Sequence, residues 1–357
     1  MRVAVLPGDG VGPEVTAEGL RVLTAAGRRH DLAIEIVEGM IGGEAIDRTG
    51  RPLPADTVDL CRSADAVLLG AVGGPRWDAL PGDRRPERGL LALRQTLGVF
   101  ANLRPVRVLP SLVDVIPLRP EAAAGTDLLI VRELTGGLYF GAPRGRSDHE
   151  AVDTLRYRRD EIQRVVRIAL AAARDRRRRL TSVDKANVLE TSRLWRDVVE
   201  EEAAAVPDVA VEHMLVDTCA MQLVRDPRIF DVIVTENMFG DILSDEAGAV
   251  AGSMGLLPSA SLGERPPFLY EPVHGSAPGI AGKGIANPAG AILSVALMLR
   301  HSFDRPEIAA EIETAVEEVI AGGVRTPDLG GRATTSQMGE AVVNALPRAT
   351  AGRGGRR

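Results

Sequence analysis

Short strand-like runs alternate with amphipathic segments along this chain, and this alternation restricts its possible folds more than any other feature. The runs favour β structure and do not switch regularly between apolar and polar residues, which is typical of strands covered on both faces. They comprise residues 3–6, 66–69, 128–131, 180–183 and 232–235. Helical periodicity lies between them, as in residues 13–26 and 161–173. The sequence therefore predicts an α/β fold.

The composition is that of an ordinary globular chain. Its 357 residues can form one large domain or two of average size. With 45% hydrophobic and 26% charged residues, neither a disordered nor a membrane protein is indicated. The net charge of -6 gives no general attraction for nucleic acid. Because the two cysteines form no C-x-x-C motif and the N-terminus lacks signal-peptide features, we expect a cytoplasmic protein with reduced thiols.

Two arginine-rich stretches have separate interpretations. Residues 174–179 are expected to be the solvated end of a helix. Residues 346–357 are expected to form a disordered C-terminal tail. Neither stretch is long enough to indicate nucleic-acid binding.

A glycine-rich loop at residues 8–12 follows the first strand and opens a helix, which is the context of a dinucleotide-binding fingerprint. Its spacing is G-x-G-x-G rather than G-x-G-x-x-G, and no acidic residue near position 30 cleanly follows a second strand. An ordinary Rossmann site is therefore not predicted here. A loop whose backbone can approach a ligand is still expected.

Asp241 and Asp245 follow the last strand-like run, and a helix would place both carboxylates on one face. Two like charges held together favour a cation beside them. Oxygen ligands without His or Cys suit Mg²⁺ or Mn²⁺ better than zinc. The alternative is an acidic helix N-terminus stabilised by the helix dipole.

Arg94 lies three and four residues after Leu91 and Leu90, so a helix would present a guanidinium and two leucines on one face, with Glu87 above them. Such a face could bind an anion that carries an alkyl group. Alternatively, the leucines could pack in a core while the arginine extends to solvent.

Arg104 and Arg132 are two further candidates for anion binding. Arg132 ends an apolar strand, where a buried guanidinium needs a carboxylate partner. Glu133 could be that partner, and so could a bound dicarboxylate.

Tyr139, Lys185 and Asp217 are candidates of a different kind. Tyr139 lies in a glycine-flanked loop, and arginines nearby could lower the pKa of its phenol and let it donate a proton. Lys185 follows a strand and could become a base near cations and a metal. Taken singly, each of the three is an ordinary surface or half-buried residue.

Together these segments resemble the metal-dependent β-decarboxylating dehydrogenases of the isocitrate/isopropylmalate family, and in particular its isopropylmalate branch. The matching runs are residues 5–10, 90–94, 100–105, 131–137, 183–187, 239–245, 271–278 and 281–288. The matches are ordered and extend over most of the chain.

The resemblance implies a two-domain α/β subunit with a large mixed sheet and not a Rossmann topology. An NAD-binding domain would comprise residues 1–99 and 253–345, and residues 100–252 would form the substrate, metal and dimerisation domain. The cleft between the domains would hold the substrate. A homodimer would share its active sites, because Lys185 and Asp217 are expected to come from the partner subunit.

The resemblance also implies the NAD-dependent oxidative decarboxylation of 3-isopropylmalate to 4-methyl-2-oxopentanoate, the leucine precursor. Lys185 would act as the base and Tyr139 as the acid. The substrate would be bound by Leu90, Leu91, Arg94, Arg104 and Arg132. Mg²⁺ or Mn²⁺ would be bound by Asp217, Asp241 and Asp245. NAD would be contacted by Val11, Glu87, His274, Gly275, Ser276, Ala277, Gly279 and Asn287.

Two positions depart from the family pattern. Gly279 stands where the isopropylmalate branch normally has Asp, and Glu236 stands where many members have Gly. Gly279 leaves the discrimination between NAD and NADP open, together with a role on another 3-alkylmalate or on a tartrate- or D-malate-like substrate. A catalytically silent dinucleotide-binding protein is a further alternative, against which the complete set of Asp, Lys, Tyr and Arg residues argues.

Overall fold

The computed structural model describes residues 1–347, so the predicted tail at 346–357 lies outside the described residues from position 348 onward. Every run predicted as a strand and both segments predicted as helices have that structure, which confirms the α/β prediction. Among the helices of residues 1–347, none combines the length and apolarity that crossing a membrane requires.

Strands and helices alternate through the described part of the chain. The strands are β1 (Arg2–Gly8), β2 (Glu35–Glu38), β3 (Ala66–Ala71), β4 (Val99–Arg107), β5 (Asp127–Glu133), β6 (Gly145–Arg146), β7 (Ala151–Val152), β8 (Arg179–Asp184), β9 (Ala210–Leu215), β10 (Val232–Thr235), β11 (Pro258–Gly263) and β12 (Phe268–Pro272). The helices are α1 (Gly12–Arg29), α2 (Gly42–Thr49), α3 (Ala55–Ser63), α4 (Pro86–Leu97), α5 (Pro120–Ala123), α6 (Arg159–Arg174), α7 (Glu190–Ala204), α8 (Val216–Arg225), α9 (Asn237–Val250), α10 (Ala289–His301), α11 (Pro306–Ala321) and α12 (Thr335–Ala345).

The chain forms two compact units. The first consists of Met1–Leu90 together with the chain from Tyr270 onward, and the second of Leu91–Leu269. The first unit is therefore discontinuous. Its divisions fall at 90/91 and 269/270, whereas the resemblance placed domain boundaries at 99/100 and 252/253.

In the first unit the strand order is β2–β1–β3–β12, and β1 pairs in parallel with both of its neighbours. Helix α10 is buried along most of its length and packs against α1 and α11. Pro13 lies in the first turn of α1, where its fixed φ suits a helix start. The core of this unit is consequently built from aliphatic side chains.

In the second unit the strand order is β11–β4–β5–β10–β8–β9. Strand β4 runs antiparallel to β11 and β5, whereas β5, β10, β8 and β9 pair in parallel. This mixture confirms the mixed-sheet prediction and differs from a Rossmann sheet. Arg132 pairs with Thr235 in the β5–β10 register, so the carboxyl ends of these two strands lie side by side. Helix α9 starts directly after that edge.

Asp9 gives the glycine-rich loop after β1 a structural role. Its buried carboxylate accepts hydrogen bonds from the backbone N–H groups of Gly43, Glu44 and Gly73 at 2.7, 2.9 and 2.8 Å. A carboxylate bound in this way satisfies three donors of neighbouring loops. The glycine-rich loop therefore contains a residue, Asp9, that anchors the neighbouring loops.

Most of the arginine-rich stretch at residues 174–179 is exposed at and after the end of α6, as predicted, and Arg176 is the partly buried exception. The helix stops at Arg174, and the Arg176 side chain binds Asp231 at 2.9 Å and Asp127 at 2.8 Å. Asp231 is fully buried and also accepts from the backbone N–H of Arg177. A buried carboxylate requires such partners, and this requirement explains why the Arg176 side chain packs onto Asp231.

Candidate active site

Helix α9 places the two predicted metal-binding aspartates one turn apart. Its N-cap is Glu236, whose side chain accepts a hydrogen bond from the backbone N–H of Phe239 at 2.9 Å. Asp241 and Asp245 follow in the second and third turns on the same face. The predicted position of the carboxylates on one helix face is therefore present.

Arg132 is buried, with 2% of its surface exposed, and its partners come from α9. One guanidinium nitrogen forms a short ion pair with Asp241. Its Nε and its other terminal nitrogen both donate to the side-chain oxygen of Asn237, at 3.1 and 2.9 Å. Glu133, which was considered as the partner of Arg132, instead accepts from Thr135 and Gly136. The carboxylate partner of Arg132 is thus Asp241.

Arg104 adds a second buried guanidinium beside the same helix. It lies 3.5 Å from Asp241 and 3.9 Å from Asp245, and it donates to the Ser244 hydroxyl between them. Arg94 is also buried, and its charge helps to lower the pKa of Asp241. This burial is against the alternative in which Arg94 extends to solvent. The three predicted arginines therefore surround one pair of carboxylates.

The two aspartates have opposite pKa shifts. Burial alone would raise the pKa of Asp241, but Arg132 and Arg104 hold it below its ordinary value. Burial raises the pKa of Asp245, and the Asp241 charge raises it further, although Arg104 opposes both. A nearby cation would favour the ionised form of Asp245. The donor set offers oxygen atoms alone, so it fits Mg²⁺ or Mn²⁺.

Tyr139 lies in a 3₁₀ turn at Gly137–Tyr139 and points its hydroxyl at the aspartate pair. The hydroxyl donates to Asp241 at 3.0 Å, and the Arg132 guanidinium lies 5.8 Å from the ring centroid. The expectation of a lowered phenol pKa is wrong for this structure. Burial and the Asp241 carboxylate raise the pKa of Tyr139, and Arg132 only partly opposes them. The phenol is a proton donor in this arrangement.

Leu90 and Leu91 are half-buried on α4, one turn before Arg94. The helical spacing expected from the sequence is therefore present. Two apolar side chains and a buried guanidinium follow one another on this helix.

Lys185 and Asp217 bind each other rather than the α9 aspartates. The Lys185 ammonium donates to Asp217 at 2.6 Å, and this hydrogen bond lowers the pKa of the Asp217 carboxyl. Within residues 1–347 of one chain, no group of three His, Cys, Asp or Glu side chains could hold a metal ion. A third ligand, Asp217 from a second copy, stays a prediction.

Val11 and Ser276, two of the predicted NAD contacts, are joined within the first unit. The Val11 N–H donates to the Ser276 carbonyl at 2.8 Å, and the Val11 side chain packs with Ala277 in an apolar cluster. Gly10 has φ +62°, and a Cβ there would lie 2.0 Å from the Ser276 carbonyl oxygen. Close backbone packing therefore requires glycine at this position.

His274 presents a buried nitrogen to the same region. Its Nδ1 is 2.9 Å from the Gly275 carbonyl, so Nδ1 is the donor of that pair. Burial lowers the pKa of the ring, which keeps it neutral and makes Nε2 an acceptor. Among the described residues Nε2 has no hydrogen-bond partner. A ligand with an N–H or O–H donor would satisfy it.

The remaining predicted NAD contacts have different environments. Asn287 donates to Asp328 at 3.0 Å and accepts from the backbone of Ala289. The Glu87 carboxylate lies beside Gly73, where a Cβ would come within 2.6 Å of it. Gly279 is exposed, and a Cβ there would meet no heavy atom within 4 Å.

Sequence reasoning missed Asn237 and Ser244, although both touch the predicted arginines. Neither carries a charge, so neither attracted a charge-based argument. The signal that could have identified Asn237 was its spacing from Asp241. Asn237 lies four residues before Asp241 and therefore on the same helix face.

Comparison with known proteins identifies extensive similarity. Residues 2–342 match the family model described as isocitrate/isopropylmalate dehydrogenase. The chain is 58% identical over 349 residues to a 3-isopropylmalate dehydrogenase of Anaeromyxobacter dehalogenans, covering 97% of this chain and 99% of that protein. It is 59% identical over 332 residues to a 3-isopropylmalate dehydrogenase of Priestia megaterium, covering 92% and 90%.

Solved structures give the same result. The isocitrate dehydrogenase of Methylococcus capsulatus has a TM-score of 0.86 and 37% identity, covering 97% of this chain and 99% of its own. A β-decarboxylating dehydrogenase of Thermococcus kodakarensis has a TM-score of 0.78 and 39% identity, covering 97% and 96%.

The aspartate pair leads to a prediction about metal affinity. Asp245→Asn should weaken Mn²⁺ binding by at least about tenfold, because an amide oxygen supplies no negative charge to a hard cation. Calorimetric titration of purified protein with Mn²⁺ measures this change. Glu246→Gln, which neutralises the adjacent carboxylate on the same helix, is the control and should bind as wild type does. Equal affinity of the Asp245 variant and wild type would exclude Asp245 as a ligand.

Proposed function

Because this chain belongs to the isocitrate/isopropylmalate dehydrogenase family, we propose that it catalyses the NAD-dependent oxidative decarboxylation of 3-isopropylmalate to 4-methyl-2-oxopentanoate. The activity is that of an oxidoreductase of leucine biosynthesis. One observation carries the assignment of the chemistry. A single carboxylate, Asp241, is in contact with a buried arginine and with a tyrosine hydroxyl, beside a second aspartate.

The three arginines are proposed to bind the substrate carboxylates. Arg94, Arg104 and Arg132 outnumber the two aspartates that they surround, so the cluster has an excess of positive charge for a dicarboxylate. Arg104 and Arg132 are buried and hydrogen-bonded, so their guanidiniums have little freedom left to lose when the substrate binds. The carboxylates would therefore be bound in a defined orientation.

The proton transfers are assigned to Lys185 and Tyr139. Lys185, as the neutral amine after its ammonium has released a proton to solvent, would accept the proton of the C2 hydroxyl as C2 loses its hydride to NAD. The β-keto acid that results would lose CO₂, and Tyr139 would then protonate C3. The raised pKa of Tyr139 keeps the phenol protonated at neutral pH, which is the state that this role requires.

The cofactors proposed are NAD and Mg²⁺ or Mn²⁺. When bound, NAD would accept the hydride and the cation would supply Lewis acidity beside the C2 oxygen. Asp241 and Asp245 would hold the cation. The unpaired Nε2 of His274 would accept a hydrogen bond from NAD, and Glu87 would approach its nicotinamide ribose.

A homodimer with shared active sites is proposed as the functional unit. Met221, Val224 and Ile242 expose 64%, 49% and 59% of their surface on α8 and α9, which pack together. Exposed apolar side chains on adjacent helices that carry Asp217 and the aspartate pair suit contact with a second copy. Asp217 and Lys185 would then complete the site of the partner.

The substrate assignment predicts a ranking among 3-alkylmalates. Since Leu90 and Leu91 offer only apolar contacts, kcat/KM for 3-isopropylmalate should exceed that for malate by at least about tenfold. Isocitrate should be a poor substrate, because its extra carboxylate would face leucines without a partner. The assay is NADH formation by purified protein with Mn²⁺ across a substrate panel.

Leu91→Ala should reduce this preference for 3-isopropylmalate, whereas Leu97→Ala at the end of the same helix is the control. If isocitrate or a tartrate-like malate gave the highest kcat/KM, the proposed substrate would be wrong.

The shared site predicts complementation between inactive variants. Tyr139→Phe and Lys185→Ala should each lose most activity. A shared site forms one complete Tyr139–Lys185 set in each mixed dimer, so co-refolding equal amounts should restore about a quarter of wild-type activity. Activity equal to the sum of the two separate variants would show that each site is built from one chain.

Gly279 predicts altered cofactor discrimination. Here no carboxylate accepts from the adenosine ribose or repels a 2′-phosphate, and the open space around Gly279 admits an Asp side chain. Gly279→Asp should raise kcat/KM for NAD by about tenfold, the value of one charged hydrogen bond, and should widen the NAD:NADP ratio. Gly82→Asp adds the same charge at another exposed glycine and is the control. An unchanged ratio would place Gly279 away from the ribose.

A further inference from the structure

Asn237 connects three parts of the candidate active site through its own hydrogen bonds. Its side-chain oxygen accepts from Arg132 twice, at 3.1 and 2.9 Å. Its side-chain nitrogen donates to the Gly136 carbonyl at 3.2 Å, just before the turn that carries Tyr139. Its backbone N–H donates to the Tyr157 hydroxyl at 3.0 Å. Only 1% of its surface is exposed.

These partners demand an amide at position 237. A guanidinium only donates and a backbone carbonyl only accepts, so one side chain must offer an acceptor to Arg132 and a donor to Gly136. A carboxylate would repel the Gly136 carbonyl oxygen. An alanine would leave the carbonyl and two guanidinium nitrogens without these bonds in a buried position.

Tyr157 and Glu236 hold Asn237 in place. The Tyr157 hydroxyl accepts from Asn237 and donates to Glu236 at 3.2 Å. The second carboxylate oxygen of Glu236 caps α9 through Phe239. The Tyr157 ring packs against Gly136, where a Cβ would come within 2.4 Å of it. Glu236, the departure noted in the sequence, is thus part of a buried support beneath the Tyr139 loop.

We propose that Asn237 is a positioning residue for the reaction: it sets the plane of the Arg132 guanidinium and ties the Tyr139 loop to α9. The inference rests on the proposed function, in which Arg132 binds a substrate carboxylate and Tyr139 protonates carbon. Arg132 retains its ion pair with Asp241 without Asn237, but a single bond to one nitrogen leaves the guanidinium free to rotate. A misplaced Arg132 guanidinium should therefore raise KM, and a misplaced Tyr139 loop should lower kcat.

The test is a set of double-mutant cycles. Asn237→Ala should raise KM for the 3-alkylmalate about tenfold and lower kcat by about ten- to hundredfold, since small misplacements of catalytic groups have effects of this size. In an Arg132→Lys background its effect on KM should fall below about threefold, whereas its effect on kcat persists. The Tyr139→Phe variant retains only residual turnover, and in that background Asn237→Ala should no longer change kcat.

A purely structural role would give equal fold-changes in all three backgrounds, and this result would overturn the proposal. Asn344→Ala, at an exposed position of α12, is the control for the substitution. NAD affinity of Asn237→Ala, measured by calorimetry, should stay within about twofold of wild type, because unit 1 carries the predicted NAD contacts.

Should Asn237→Ala fail to fold, Tyr157→Phe removes only the hydroxyl that accepts from Asn237 and should show the same pattern with smaller changes. Wild type is assayed first on the substrate panel, and the cycles use its best substrate. No turnover by wild type on any malate would refute the proposed function itself. If wild type turns over a malate but the fold-changes of the single variants simply multiply in the double variants, only the role of Asn237 is refuted.

Discussion

Burial of the Arg132 guanidinium is the constraint on which the arrangement of the second unit depends. A buried charge that loses its partner costs about 3–5 kcal/mol, so its neighbours must supply a carboxylate and further acceptors. They come from the first two turns of α9, where Asn237 and Asp241 both contact Arg132. Gly240 lies between them, and a Cβ there would be 2.6 Å from the Arg132 side chain. The helix can approach the strand end only because this residue is glycine.

The same contacts give Asp241 a structural role, to which the proposed metal site would add a functional one. It neutralises Arg132 in the folded chain, and it accepts from Tyr139. Asp245 lies one turn later. Burial and the Asp241 charge raise its pKa, so its carboxyl is protonated more readily than that of Asp241. The surrounding guanidiniums stabilise the ionised form of Asp241 more than that of Asp245. A divalent cation would add two positive charges to this cluster and a dicarboxylate two negative charges, so binding both together would leave its net charge unchanged.

The sequence predicted the strands, the principal helices and the residues of the cluster, because periodicity and charge are local signals. It did not predict which charges meet. Glu133 is adjacent to Arg132 in sequence, yet alternation along a strand points neighbouring side chains to opposite faces. The true partner, Asp241, lies 109 residues away and is brought close by strand pairing. The expected fall in the pKa of Tyr139 is wrong because burial raises that pKa and the Asp241 carboxylate, distant in sequence, raises it further.

The two leucines of α4 and the hydrogen-bonded group around Arg132 lie on different elements, although α4 also carries Arg94. Leu90 and Leu91 lie on α4, whereas Arg132, Asp241 and Asn237 form one hydrogen-bonded group at the ends of β5 and β10. Replacing a half-buried leucine changes apolar contact without disturbing that group, because no leucine atom takes part in its hydrogen bonds. A change within the group leaves a buried donor or charge unpaired. Under the proposed function, Leu90 and Leu91 could therefore be replaced, and the preferred alkyl group changed, while the hydrogen-bonded group of Arg132, Asp241 and Asn237 stays intact.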